Sequence, residues 1–135
     1  MDRIRERYEG AQSFLEVGCL FLSLCSIAEQ VTQNDVDILG VLQYARKQGY
    51  IDENDDLTVE GQCKLLRDLT GVQWRREVLK DLPILVPDEM YTVEKWVNPR
   101  TGKTHFKRRP YDTLKNSLTV KEGARVAYYA YIKES

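Results

Sequence analysis

Two residues of this 135-residue chain carry the side chains that nucleophilic catalysis needs, a thiol and an imidazole. Cys19 lies in the apolar stretch EVGCLFLSLCSIAE, and His105 is the only histidine in the sequence. We predict that the apolar stretch is a buried helix beginning at Gly18, with Cys19 at its N-terminus. There the helix dipole and the free N–H groups would lower the pKa of the thiol. An imidazole brought against that terminus would complete a thiolate–imidazolium pair.

Each candidate also has a structural explanation. A lone histidine is more often an ordinary strand or surface residue than a catalytic base, and His105 is far from Cys19 in the sequence. Cys25 follows in the same apolar stretch, so we expect it to be buried and slow to react. Cys63 falls on the inward face of another predicted helix and is expected to be buried and inert.

Three predicted helices in the first half of the chain are the first elements that must position these side chains. The first covers about residues 18–31 and is apolar on nearly every side, which is typical of a buried helix. The second begins near Asn34 and ends at Gly49, and the third has Thr58 as its N-cap and Gly71 after its end. Their expected inward faces consist of Ile38, Leu42 and Ala45 in the second helix and Val59, Cys63 and Leu66 in the third.

The second half of the chain has the pattern of an antiparallel sheet. An alternating run at 90–97, a Pro-Arg-Thr-Gly turn and a second run containing His105 predict a hairpin. The sequence RVAYYAYIK predicts a last strand, and LPILVP is interpreted as a short crossing segment. We therefore expect an α+β fold in one domain over 1–135, helical at about 10–72 and a sheet at about 73–133.

Composition narrows the classes of protein further. The net charge of −1 gives no overall attraction to nucleic acid or to anionic membranes. Three cysteines in predicted helices argue against a secreted disulfide framework, and the charged N-terminus does not have the pattern of a signal peptide. The apolar run at 14–31 contains glutamates and serines and is too short to span a membrane. We expect a cytoplasmic protein with no cofactor, no metal and an unknown oligomeric state.

The order of several motifs resembles the papain-like cysteine peptidases. Gln12, the Gly-Cys pair at 18–19, GYIDENDDLT, the THF segment around His105 and YDTLKNSLTVKEG follow one another over about residues 10–132. The pattern is most similar to the double-glycine leader peptidase branch and to small bacterial and phage relatives. The resemblance implies a papain-like fold, a peptide or protein substrate and four site residues. These are Cys19 as nucleophile, His105 as general base, Asp112 as the group that orients the imidazole, and Gln12 as oxyanion donor.

Two other classes of function stay open. The chain could be an inactive papain-like relative that serves as a phage structural or host-interaction protein. It could also bind nucleic acid through a basic hairpin, although we expect a solvated strand and turn there. The residues of that hairpin are Lys103, Lys107, Arg108 and Arg109, with Trp96, Phe106 and Tyr111 as neighbouring aromatics.

Overall fold

A computed structural model describes residues 12–53, 56–107 and 123–134, with side chains from residue 20 onward. The helices are α1 (Gln12–Thr32), α2 (Ile38–Lys47) and α3 (Val59–Thr70). The strands are β1 (Gln73–Leu79), β2 (Met90–Val97), β3 (Thr104–Lys107) and β4 (Ala124–Glu134). All strands pair antiparallel in one 4-stranded sheet of order β1-β4-β2-β3. The expected α+β class is confirmed.

Helix α2 begins later than the sequence predicted. Its N-cap is Asp37, whose carboxylate accepts a hydrogen bond from the backbone N–H of Gly40 at 3.3 Å. The predicted start near Asn34 is therefore wrong, because the later carboxylate caps the first turn. Gly49 follows the last turn with φ of +79°, a conformation that glycine adopts without strain. The predicted inward residues are confirmed as buried: Ile38, Leu42 and Ala45.

Helix α3 has the predicted ends. The hydroxyl of Thr58 accepts a hydrogen bond from the N–H of Gly61 at 2.9 Å. At the other end Gly71, with φ of +79°, donates its N–H to the carbonyl of Arg67. Gly61 also permits a close approach, since a Cβ at this position would lie 2.7 Å from the carbonyl oxygen of Tyr50.

The buried face of α3 is rotated from the predicted one. Val59 is 63% exposed and Cys63 is half-buried, whereas Gln62 is buried. The hydroxyl of Tyr131, in β4, donates a hydrogen bond to the Oε1 atom of Gln62 at 2.6 Å. This bond satisfies a polar side chain inside the protein, so a polar position faces inward where sequence patterning expects an apolar one.

Pairing in the sheet separates its residues into two sides, since paired residues share a side and neighbours in a strand alternate. We name the side that carries the core the helix side. The described members of the helix side that pack in or against the core are Trp74, Tyr91, Val93, Phe106, Tyr129 and Tyr131. The opposite side, the far side, carries Arg75, Glu77, Glu94, Trp96, His105, Lys107, Tyr128 and Ala130.

The core lies between the helices and the helix side of the sheet. From α1 it takes Phe21, Leu22, Leu24, Cys25 and Ile27, and from α3 Leu65 and Leu66. Helix α1 contacts β3 and β2, while α3 contacts β1. The buried residues of α1 are mostly apolar, with Ser23, Ser26 and Glu29 as the buried polar ones, which is typical of a helix enclosed between other elements.

The predicted hairpin and the last strand are confirmed, and the sequence missed β1. Residues 80–89 join β1 to β2, which run in the same direction because each pairs antiparallel with β4 between them. Leu79 lies opposite Tyr128 and Met90 lies opposite Ile132, so this connection crosses β4 and runs back along the sheet. The interpretation of LPILVP as a crossing segment is confirmed.

Candidate functional site

The backbone around Cys19 differs from the prediction. Helix α1 includes Gln12, seven residues before Cys19, so the predicted helix start at Gly18 is wrong. A glycine inside a helix costs only about 1 kcal/mol relative to alanine, and the preceding residues include Phe14 and Leu15, which extend the apolar stretch. Cys19 therefore lies beyond the first turn, where N–H groups are free and the dipole acts. The helix terminus cannot be the source of a lowered thiol pKa.

His105 is placed firmly by the sheet. It lies in β3 opposite Trp96, and its side chain is only 2% exposed. The strand is at one edge of the sheet formed by the described strands, and α1 packs against it. The structure thus brings the helix that contains Cys19 next to the strand that contains His105. The side chain of Cys19 lies outside the described residues, so its distance to the imidazole stays a prediction.

The side on which His105 lies adds a geometric condition. Its neighbour Phe106 points to the helix side, where its ring lies 5.2 Å from the ring of Tyr129. His105 therefore points to the far side. A thiol on α1 can reach this imidazole only around the outer edge of β3.

Glu94 is a candidate that sequence reasoning missed. It is a buried carboxylate on the far side, and its Oε1 accepts a hydrogen bond from the indole N–H of Trp96 at 2.9 Å. Glu94 pairs with Lys107 and Trp96 pairs with His105, so the carboxylate and the imidazole are diagonal neighbours on the same side. The sequence contained a signal for this site: in a hairpin, Glu94 and Trp96 alternate along one strand and lie opposite Lys107 and His105 in the other.

The other predicted partners of His105 are only partly described. Asp112 lies outside the described residues, so its predicted contact with the imidazole stays untested. Gln12 is described by its backbone alone. In an α-helix, residues seven apart are separated by about 10 Å along the axis. This is a long distance for the Gln12 amide to span to the oxyanion of a substrate bonded to Cys19.

The remaining cysteines are poor nucleophile candidates. Cys25 is fully buried in the core, as predicted. Cys63 is half-buried instead of buried, and desolvation raises the pKa of its thiol, against a smaller opposite effect of Arg76. A raised pKa leaves less thiolate at neutral pH, so the expectation that Cys63 is inert has a physical basis.

The basic hairpin does not form one aromatic platform in its described part. The ammonium of Lys107 lies 5.6 Å from the Trp96 ring on the far side, while Phe106 packs on the helix side. Lys103 is exposed in the turn. Arg108, Arg109 and Tyr111 lie outside the described residues. The described cations and aromatics are thus divided between the two sides, which disfavours stacking of successive bases.

A second candidate site is the connection between β1 and β2. Ile84 is 102% exposed, Leu85 is 86% exposed, and Val86 is also exposed. We name residues 82–87 the apolar crossing segment. Prolines at 83 and 87 restrict its backbone, and the backbone N–H of Lys133 in β4 donates to Glu89 just beyond it at 2.9 Å. Consecutive large apolar side chains in solvent are a mark of an interaction site.

Among the residues that the structure describes, no three His, Cys, Asp or Glu side chains cluster in a way that could hold a metal ion. None of the helices in that part of the chain combines the length and the hydropathy needed to cross a bilayer. In comparisons with known proteins, no family model, no curated protein and no solved structure matches this chain.

Proposed function

We propose that this chain is a thiol-dependent amide hydrolase of papain-like architecture, in which Cys19 is the nucleophile and His105 the base. The observation that carries the proposal is the packing of α1 against β3, the two elements that contain these residues. The proposal requires the thiol to reach the far-side imidazole around the outer edge of β3. The burial of His105 beside the carboxylate of Glu94 supports it further. A carboxylate that hydrogen-bonds to an imidazole would hold it in one tautomer and stabilise its protonated form.

In this mechanism the thiolate is formed by proton transfer from Cys19 to His105. The sulfur bonds to the carbonyl carbon of the substrate amide, and the imidazolium returns the proton to the amine as the C–N bond breaks. Water, deprotonated by His105, then hydrolyses the thioester and frees the thiol. The proposed substrate is a peptide or protein.

Alkylation by iodoacetamide tests the thiol–imidazole pair without knowledge of the substrate. We expect Cys19 to react fastest of the three cysteines near neutral pH, because only Cys19 would have a base beside it. His105→Ala should slow Cys19 by at least about tenfold, and Cys25 and Cys63 in the same molecule serve as internal controls. Mass spectrometry of the labelled peptides gives the three rates. Equal rates for Cys19 and Cys25, or an unchanged rate in His105→Ala, would exclude the pair.

The group that orients the imidazole can be identified by two isosteric variants. Glu94→Gln removes the charge of the far-side carboxylate, and Asp112→Asn removes the charge of the carboxylate that the sequence predicts to orient the imidazole. The variant that lowers the pH midpoint of Cys19 alkylation identifies the carboxylate that stabilises imidazolium. If neither variant moves the midpoint, the site is at most a dyad without an orienting acid.

The exposed apolar crossing segment favours a second candidate function, binding of another protein. Exposed charges on both sides of the segment are Lys80, Asp81, Asp88 and Glu89, three acids against one base. The net negative charge around the segment disfavours binding to an anionic membrane, and it also disfavours self-association of two such segments. It fits a folded protein partner with an apolar pocket and a basic rim. Prolines limit the entropy that the segment loses when it docks.

A photo-crosslinking residue at position 85 tests this second function. We expect one crosslinked protein in a native extract, which is then purified and titrated against the chain. Leu85→Asp should abolish that binding, whereas Val126→Asp, at another exposed apolar residue, should not change it. Concentration-dependent dimerisation would assign the segment to self-association, and adsorption to neutral lipid vesicles would assign it to membranes; either result contradicts a protein partner.

A further inference from the structure

Two cations converge on one aromatic ring on the helix side of the sheet. The guanidinium carbon of Arg76 lies 4.2 Å from the ring centroid of Tyr129, and the ammonium of Lys95 lies 5.9 Å from it. Arg76 is in β1 and Lys95 is in β2, on either side of β4. Phe106 adds a second ring beside Tyr129. We name Arg76, Lys95, Phe106 and Tyr129 the cation–aromatic row.

No carboxylate neutralises this pair of charges in the described part of the chain. Neither Arg76 nor Lys95 makes an ion pair with a described residue. The register explains why, since the three strand carboxylates, Glu77, Glu94 and Glu134, all lie on the far side. Two like charges near one ring repel each other, and the repulsion is strong where side chains are half-buried.

Arg76 has a second, independent sign of a missing partner. Its Nε–H is buried and has no hydrogen-bond acceptor among the residues that the structure describes. The guanidinium also acts on Tyr131, whose pKa is raised by burial and lowered in part by Arg76. Buried donors in proteins are nearly always paired, with protein, water or a bound ion. A planar guanidinium with an unused donor is suited to an oxyanion, which it binds with parallel hydrogen bonds.

We propose that the cation–aromatic row binds a small ligand that carries a phosphate or diphosphate group. The two cations lie within about 10 Å of each other, since both are near the same ring. A phosphate group carries about two negative charges, which matches Arg76 and Lys95. The four residues are half-buried, and the neighbouring Val78 in β1 is exposed, so the row borders solvent at that end. The inference does not rest on the activity of Cys19.

Titration with pyrophosphate, followed by the ¹⁵N–¹H signal of the Arg76 Nε–H, tests the site directly. We expect a saturable shift of that signal and a higher Tm with increasing pyrophosphate, because a ligand that binds only the folded state stabilises it. Lys95→Gln and Arg76→Lys should each weaken binding by about tenfold, as expected when one charge-assisted contact is lost. Because Arg76→Lys keeps the positive charge, we expect this variant to remain folded, and its weaker binding would then reflect the loss of the guanidinium.

Arg75→Gln is the matched control, since Arg75 is the preceding residue and points to the far side, where it pairs with Glu77. Unchanged pyrophosphate affinity in this variant supports the row. An equal loss in Arg75→Gln and Lys95→Gln would show a general charge effect and overturn the site. So would the absence of a saturable shift, or binding of oligothymidylate with a steep salt dependence when pyrophosphate does not bind.

Discussion

Asp68 provides the sharpest test of the forces that join α2 to α3. Its Oδ2 accepts hydrogen bonds from the hydroxyls of Tyr44 and Tyr50, each at 2.7 Å, and its Oδ1 accepts one from the Nε of Arg67 at 3.0 Å. The two tyrosine rings meet edge to face with centroids 6.2 Å apart. One carboxylate therefore connects the end of α3 to Tyr44 in α2 and to Tyr50 in the segment after α2.

The magnitude follows from the burial of each partner. Tyr50 is buried and its hydrogen bond to Asp68 is partly buried, so Asp68→Ala removes a bond to a charged group, which contributes about 1.5–3 kcal/mol. The bonds from Tyr44 and Arg67 are exposed and contribute less. We expect Asp68→Ala to lower the free energy of unfolding by about 2–3 kcal/mol. For a small domain this is a shift of about 1–2 M in the urea midpoint.

The pH dependence of unfolding gives the same interaction a second signature. Partial burial raises the pKa of Asp68, but the hydrogen bonds from Tyr44, Tyr50 and Arg67 outweigh burial and lower it overall. The hydrogen bond to Asp68 is the main cause that raises the pKa of Tyr44 to about 12. The stabilisation is therefore present above the unfolded carboxyl value of about 4 and fades as the pH falls below it. It is also lost as the pH rises from about 10, the unfolded tyrosine value, towards the raised value.

Urea unfolding from acid to alkaline pH, with tyrosinate absorbance, measures both signatures. Asp68→Asn, which keeps the shape but not the charge, should return the titration of Tyr44 towards its ordinary range. Tyr50→Phe should recover part of the loss in an Asp68→Ala background, because it removes the stranded hydroxyl. A loss below about 1 kcal/mol in Asp68→Ala, or an unchanged tyrosine titration in Asp68→Asn, would refute the argument.

Three further predictions concern single contacts, each measured by urea unfolding. Gly61→Ala should destabilise the fold despite the better helix propensity of alanine, because its Cβ would meet the backbone of Tyr50 at 2.7 Å; a gain in stability would contradict this. Tyr131→Phe should cost about 1–3 kcal/mol by leaving buried Gln62 without its donor, and Gln62→Leu in the same chain should restore part of it. Asn98→Ala should cost about 1–3 kcal/mol, since the buried Asn98 Oδ1 accepts from the N–H of Arg100 at 2.9 Å; Asn98→Asp should also destabilise the fold, because it keeps this acceptor but buries a charge.

Sequence patterns predicted the elements whose signals are local. Thr58 and Gly71 act at the ends of α3 through their own side chain or backbone, and the turn at 98–103 is closed by Asn98 and Gly102. These features need no distant partner, so they can be predicted from neighbours in the chain. The class of the fold followed from the order of helical and strand patterns.

The features that the sequence missed depend on partners far along the chain. Gln62 faces inward because Tyr131 supplies a hydrogen bond across 69 positions. Strand β1 has three charged residues among its seven, and only pairing with β4 and the burial of Trp74 on the core make it a strand. Glu94 becomes a candidate site residue only when the hairpin register places it beside His105. Local patterning carries no information on such pairings.

The position of β4 between β1 and β2 has a consequence for synthesis of the protein on the ribosome. Among the described elements, β4 leaves the ribosome last, yet β1 has no other partner in the described sheet. Until β4 emerges, β1 and one edge of β2 present unpaired backbone groups to other nascent chains. Once β4 has emerged it can pair with β1 and β2, through contacts between residues far apart in the chain. We expect pauses or truncations before residue 124 to yield aggregated chains, because without β4 the strand β1 and one edge of β2 have no partner among the described strands.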